Sequence, residues 1–379
     1  MLANSMEVIS FAERIMTLLE QGRFTSTYKY AVLLSLIHLS MEKFTHTGVA
    51  PDSVTTRQLA EKVIQLYWLQ TNPYVATSEE PFVLFQNAGR KGAQASIIKH
   101  IGEYREKSKI GGFSPYFSAK HADKTGFSKL VDKVEWTLIE MPLPRLQRMG
   151  ASERNFIYSI TWDDSIKKSA VNSYQKGTSN TFNNLIRFQP NVSSFFVQLS
   201  GLLRPLIQRD WAMRVAETNN LEEAKLQAFI FRANRSSTAK LNMPLAELQN
   251  GKCFYCGKAL GLKGKSAAEV DHFIPWARYP NDSLSNFVVA HNHCNGAKRD
   301  FLAYENHLNS WINRITNPKT QNDFILMAEK YQWEVGLGVS RSVGSAIYLN
   351  LQDEVELWKV GREFSPVSKN EVQRIFKVC

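Results

Sequence analysis

Four cysteines in 379 residues are too few to staple a fold, and one of them, Cys379, is the final residue. A disulfide framework is therefore excluded and a reducing compartment is expected. Long apolar runs are missing as well: the longest, around Tyr30 to Leu39, is about half of the roughly 20 residues that a membrane-spanning helix needs. Residues 1–20 contain acidic side chains and an interrupted apolar pattern, with no secretory hydrophobic stretch. A soluble, cytoplasmic protein with no membrane partner is the expectation. No internal repeat or low-complexity tract is evident. Acidic residues are in deficit, 35 against 46 Lys and Arg, giving a net charge of +11. That imbalance favours a polyanionic partner, because each phosphate contact releases counterions, but it does not distinguish DNA from RNA. At 44% hydrophobic content a chain of this length fills more than one core.

What the chain does contain is concentrated between Cys253 and Lys298. Cys253 and Cys256 form a C-x-x-C knuckle, and His291 and Cys294 repeat the spacing 35 residues later. Four soft ligands so paired can converge tetrahedrally on zinc, and a closed set leaves no open position for water, so the zinc is structural. A redox C-x-x-C is the competing account, but such a motif opens a helix in a βαβ unit. Here Cys253 follows the turn-like Leu248-Gln-Asn-Gly251. His293 is an alternative ligand, although only His291 keeps the paired spacing.

Val270 to Ile274 reads as a short strand ended by Pro275, Asn286 to Ala290 as a second, with turn-rich residues between. After Cys294 the pattern turns helical, through Phe301, Leu302, Leu308, Trp311, Ile312 and Ile315. Alternation along a strand puts Asp271 and His272 on opposite faces, so one can address a metal and the other a water. Together these residues resemble the HNH endonucleases, the zinc-containing branch of the ββα-metal nucleases, over residues 245–315. Position by position, the resemblance implies that Asp271 and Asn295 hold a catalytic Mg²⁺ or Mn²⁺. It further implies that His272 is the general base and that Asn286 orients the histidine and its loop. Lys298 and Arg299 are expected to grip the phosphate backbone. Each residue alone has an ordinary reading as a turn former or solvated side chain; the joint order carries the resemblance.

Elsewhere the reading is coarser. Residues 1–235 are expected to form a mostly helical target-recognition or regulatory domain, 236–318 the nuclease domain, and 319–379 a helical extension packing on the others. The expected class is α+β, mostly helical. Ile9, Phe11, Ile15, Leu18 and Leu19 predict one helix, Tyr28 to Phe44 a second, and Thr55 onward a third with a threonine N-cap. The third helix suits either a packed layer or a helix-turn-helix variant. Arg90 and Lys91, with Lys99, Arg105, Lys107 and Lys109 beyond, form the expected backbone-gripping surface. Phe156 to Trp162 is expected as a strand, Ser165 to Asn183 as loop, Val192 to Asn219 as a helix divided at Pro205, and Ser340 to Ser345 as a linker. Trp211, Met213 and Val215 are assigned to the core.

The function implied by the resemblance is metal-dependent hydrolysis of DNA phosphodiesters in a bacterial restriction or anti-phage setting. The alternative is a zinc module that binds nucleic acid or a partner protein without cutting. One active site per chain cuts one strand, so double-strand breaks call for a homodimer, partner subunits or sequential nicking.

Overall fold

The computed structural model describes residues 5–22, 26–75, 80–87, 94–111, 116–149, 152–153, 155–179, 181–231, 235–261 and 267–377. The chain divides into two compact units, Met1–Ser40 with Ala50–Arg232, and Met41–Val49 with Ala233–Cys379.

The first unit contains helices α1 (Ser5–Gln21), α2 (Tyr28–Glu42, whose last two residues fall in the second unit), α3 (Thr56–Tyr67), α4 (Ser96–Lys107), α5 (Tyr116–Ala122) and α6 (Lys124–Glu140). Helices α7 (Lys168–Gln175), α8 (Val192–Gln198), α9 (Ser200–Asn219) and α10 (Glu223–Phe231) follow. Its strands are short: β1 (Ser53–Thr55), β2 (Arg148–Met149), β3 (Ser152–Glu153), β4 (Tyr158–Ser159) and β5 (Leu185–Phe188). β5 lies between β1 and β4 in an antiparallel sheet, and β2 pairs with β3. Helix α1 buries Phe11, Ile15, Leu18 and Leu19 at helical spacing, while Ile9 faces outward. Helix α3 opens on a full capping box: Thr55 Oγ accepts from the Gln58 amide at 3.1 Å, and Gln58 Oε1 accepts from the Thr55 amide at 3.0 Å. It packs on α6, where Thr56 Oγ donates to Glu135 and Arg57 pairs with Asp132. Its buried Leu59, Val63 and Tyr67 are those of a packed layer.

Several expectations need correction. Residues 168–175 are helix and not loop, with Val171 buried, and the strand at 156–162 shrinks to Tyr158–Ser159. The helical run 192–219 breaks at Leu199, whereas Pro205 sits inside α9 near its start. Proline is tolerated in a first turn and costly only deeper, and position 205 lies close to that boundary. Met213 is exposed, although Trp211 and Val215 are fully buried. Arg105 is also buried: its guanidinium stacks on Trp68 and donates to the Trp68 and Gly111 carbonyls, so it belongs to the interior of the unit and not to a phosphate-gripping face. Arg90 and Lys91 lie outside the described residues.

In the second unit, α11 (Asn242–Leu248) leads to a knuckle and then to strand β6 (Ala268–His272), strand β7 (Phe287–His291) and helix α12 (Asn292–Lys298). Helices α13 (Glu305–Thr316), α14 (Pro318–Tyr331) and α15 (Leu337–Tyr348), hairpin strands β8 (Glu356–Val360) and β9 (Glu363–Pro366), and α16 (Lys369–Lys377) complete it. β6 and β7 are antiparallel, in a register that sets Ala268 opposite His291 and His272 opposite Phe287. The helical pattern after Cys294 resolves into two helices, α12 and α13, with Phe301 and Leu302 in the connection. Residues 340–345 are not a linker. They lie in α15, where small side chains permit close packing: a β-carbon added at Gly344 would stand 2.9 Å from the Trp311 ring. The last 60 or so residues are likewise not all helix. Glu356-Leu-Trp-Lys-Val360 is a strand that buries the adjacent Leu357 and Trp358, one on each face, and pairs as a hairpin.

Candidate active site and metal centre

The knuckle is built by backbone that turns where left-handed residues allow it. Asn250 and Gly251 end the approach from α11 with φ of 54° and 66°, and Gly257 at 69° closes the turn after Cys256. The Gly257 amide donates to the Cys253 carbonyl, and the Phe254 amide donates to Val289 of β7, which fixes the knuckle beside the second ligand pair. Gln249 ties the same residue of the strand, accepting from the Val289 amide and donating to the carbonyl that Phe254 also reaches. Cys253 Sγ, Cys256 Sγ, His291 and Cys294 Sγ then offer ligand atoms all within 4.8 Å of one another.

The donor set fits zinc. Bonds of about 2.3 Å to sulfur and 2.0–2.1 Å to nitrogen in a tetrahedron put ligand atoms about 3.5–3.8 Å apart. His291 Nδ1 lies 3.2 Å from Cys256 Sγ and 3.9 Å from Cys294 Sγ. His291 Nε2 stands 2.9 Å from the Ala259 carbonyl; a carbonyl can only accept, so Nε2 carries the hydrogen and Nδ1 keeps its lone pair for a metal. Burial and then the neighbouring Cys253 and Cys256 push the Cys294 thiol up to about 12, a crowding that coordination relieves. His293 stacks on His291, with ring centroids 5.0 Å apart, and stays outside the four-ligand set.

Asp271 and His272 have separate surroundings, as strand alternation requires. Asp271 is buried, and its Oδ2 accepts from the Tyr255 hydroxyl at 2.5 Å and pairs with Lys298 Nζ at 3.0 Å. Burial, and then the adjacent Asp271 carboxylate, raise the Tyr255 pKa well above the ordinary tyrosine value, so the phenol remains a donor. His272 is partly exposed; its ring meets Trp276 and Phe287 edge-on, and its Nε2 lies 2.7 Å from Asp282 Oδ1. Asn286 is fully buried and binds backbone only: Oδ1 accepts from the Ile274 amide, and Nδ2 donates to the carbonyls of Ile274 and Asn281. One side chain thereby ties together the two ends of the loop that follows His272.

Helix α12 is fastened to β6 twice. Asn295 Nδ2 donates to Glu269 Oε2 at 3.0 Å, and Asn292 Nδ2 donates to Glu269 Oε1 at 2.6 Å. One turn later Lys298 reaches Asp271 and also donates to the His272 carbonyl at 2.9 Å. Glu269 and Asp271, two apart on a strand, share a face, so Asn295 and Asp271 are drawn to the same side of β6. Asp271 Oδ1 and Asn295 Oδ1 have no partner among the described residues. Two hard oxygens of this kind suit a Mg²⁺ or Mn²⁺ shell completed by water and phosphate.

Lys298 corrects an expectation. It was expected on a phosphate-gripping face, but its side chain is fully buried, while Arg299 beside it is exposed. Lys298→Met should lower the unfolding free energy by roughly 3 kcal/mol, because it strands a buried carboxylate and a backbone carbonyl. Chemical denaturation reads this directly, and an unchanged midpoint would mean that the ion pair does not form in solution. Glu269, Tyr255 and Asp282 escape notice in the sequence. Only Glu269 leaves a signal there, its two-residue offset from Asp271.

The family comparisons agree with this geometry. Residues 253–304 match the family model described as HNH endonuclease, and residues 9–231 match one described as a domain of unknown function, DUF8808. The chain belongs to the DUF8808 family and carries an HNH endonuclease module at residues 253–304. No curated protein and no solved structure gives a match. The HNH assignment supports a nuclease-type function with nucleic acid as substrate, and the Cys₃His cluster of the HNH module is compatible with a zinc site. No helix among the described residues is long and apolar enough to cross a membrane.

Proposed function

We propose that the protein is a metal-dependent endonuclease that hydrolyses DNA phosphodiester bonds in bacterial restriction or anti-phage defence, with residues 1–235 choosing or regulating the target. The observation that carries this reading is the double fastening of α12 to β6, which gathers Asp271 and Asn295 on one face while His272, next along the strand, stays partly exposed. In this scheme Asp271 and Asn295 would hold the cation. His272 takes the proton from the attacking water, a step in which general-base help is typically worth about 10²–10⁴ in rate. Asn286 keeps the histidine and its loop in register, and Arg299 meets the DNA backbone. When bound, the divalent cation supplies charge neutralisation at the scissile phosphate. Zinc holds the module together and takes no part in the chemistry. The net charge of +11 supports a polyanionic partner.

The test is a plasmid-cleavage assay with zinc-loaded protein, with and without added Mg²⁺ or Mn²⁺, on modified and unmodified DNA. Nicking or linearisation that requires the added cation is the expected result. DNA bound and left intact under every condition would favour a zinc module that binds without cutting.

A further inference from the structure

The scheme above makes no use of Asp282. It lies ten residues beyond His272 in the β6–β7 connection, with its Oδ1 2.7 Å from His272 Nε2. An ionised carboxylate has lone pairs and no proton to give, so this hydrogen bond has one polarity: Nε2 carries the hydrogen and donates it. The neutral ring then holds its lone pair on Nδ1, which has no partner among the described residues. Resting on the nuclease reading, we propose that Asp282 is the positioning residue of His272: it fixes the imidazole in the Nε2–H tautomer and leaves Nδ1 as the proton acceptor for the attacking water.

The contact is supported from several sides. The Asp282 carbonyl accepts from Trp333 Nε1 at 2.5 Å, and Trp333 is itself buried. On the N-terminal side, the Asn281 carbonyl is held by Asn286 Nδ2 at 3.0 Å, and Asn281 Oδ1 accepts from the Ser283 amide at 3.1 Å. The backbone carrying Asp282 is thus tied both to α14's trailing segment and to the asparagine that ties Ile274, two residues after His272. The imidazole is confined by Trp276 and Phe287, whose ring centroids lie 5.5 Å and 5.0 Å away at steep interplanar angles. Neither ring offers a lone-pair acceptor to a nitrogen in the ring plane, which leaves the Asp282 carboxylate as the group that selects the tautomer. A half-exposed pair of this kind adds little to folding stability. Its effect should therefore appear in the state of the ring and not in the melting of the protein.

The deciding measurement is the side-chain ¹⁵N spectrum of histidine in the full-length, zinc-loaded protein without added Mg²⁺ or Mn²⁺, compared between wild type, Asp282→Ala and Asp282→Glu. Wild type should show His272 as the Nε2–H tautomer and Asp282→Ala a mixture of the two. Zinc content and melting should be unchanged, and kcat for nicking should fall about 10- to 100-fold with KM held, the range seen when partners that orient an imidazole are removed. Asp282→Glu should recover part of both signals. An Asp282→Ala spectrum identical to wild type at His272 overturns the inference. So does a loss of cleavage that comes with lost zinc or lowered melting, since Asp282 would then act on the fold. A tautomer change in a protein whose wild type cuts no DNA with any cation would instead sink the nuclease reading and leave the pairing standing.

Discussion

His272→Ala should give a folded, DNA-binding protein that no longer cuts. The side chain is partly exposed and its polar partner among the described residues, Asp282, is more exposed still, so its removal empties little buried volume. The neighbouring fastenings do not involve the imidazole: Lys298 reaches the His272 carbonyl, which alanine retains, and Asn286 holds the backbone from Ile274 onward. On the nuclease reading, DNA affinity would rest on phosphate contacts made by other residues and should keep its salt dependence. Loss of the general base alone should slow strand cleavage by about 10²–10⁴, enough to erase product in an ordinary time course. Single-turnover nicking, a salt titration of DNA binding and a melting curve on the same preparation separate these statements. Cleavage at the wild-type rate would remove His272 from its role.

The second large effect lies at the zinc ligands and has the opposite profile. Cys294→Ala removes a buried ligand from the four-atom cluster and leaves Cys253, Cys256 and His291 converging on an incomplete site. Because metal-binding energy in such sites is folding energy, of order 10 kcal/mol for complete structural sites, losing even part of it should be visible globally. A loss of about 4 kcal/mol in a unit of this size lowers its melting by about 10 °C. The expected result is a bound-zinc stoichiometry that falls from one toward zero together with the melting transition. Full zinc content with unchanged melting would count against the ligand set. The two variants divide the module into chemistry and scaffold: one should lose activity at constant stability, the other both.

The parts of this site that are legible in the sequence are those in which spacing alone fixes geometry. Two C-x-x-C-like pairs, two adjacent residues on a strand and an asparagine before a second strand survive translation from string to structure. Each depends on local periodicity, and the threonine N-cap of α3 and the buried stripe of α1 are legible for the same reason. Lys298 was not, because a lysine beside an arginine at the end of a helix has the pattern of a solvated face. Its burial follows from α12 being clamped against β6 through Glu269 and Asp271, contacts that no window of sequence displays. Residues 340–345 failed for a related reason. Serine and glycine signal a linker when read for polarity, yet here they are the small residues that let a helix approach Trp311. Tyr255 reads as a filler residue between two cysteines, and its role as donor to Asp271 appears only once the knuckle is folded over β6.

The match to the HNH family ends at residue 304, but the supports of the site do not. Tyr255, the donor to Asp271, packs edge-on against Trp358 and His307, and Phe273, which follows His272 in sequence, stacks on Trp311 at 4.6 Å. Trp311 Nε1 also holds the Ser285 carbonyl, and Trp333 holds that of Asp282. A fragment cut at the family boundary would carry every ligand and the proposed base while leaving their backing rings behind. Any transplant of this site into another chain therefore has to carry the sequence past residue 304 as far as Trp358, and a fusion trimmed to the motif alone should leave the site without the rings that wall it.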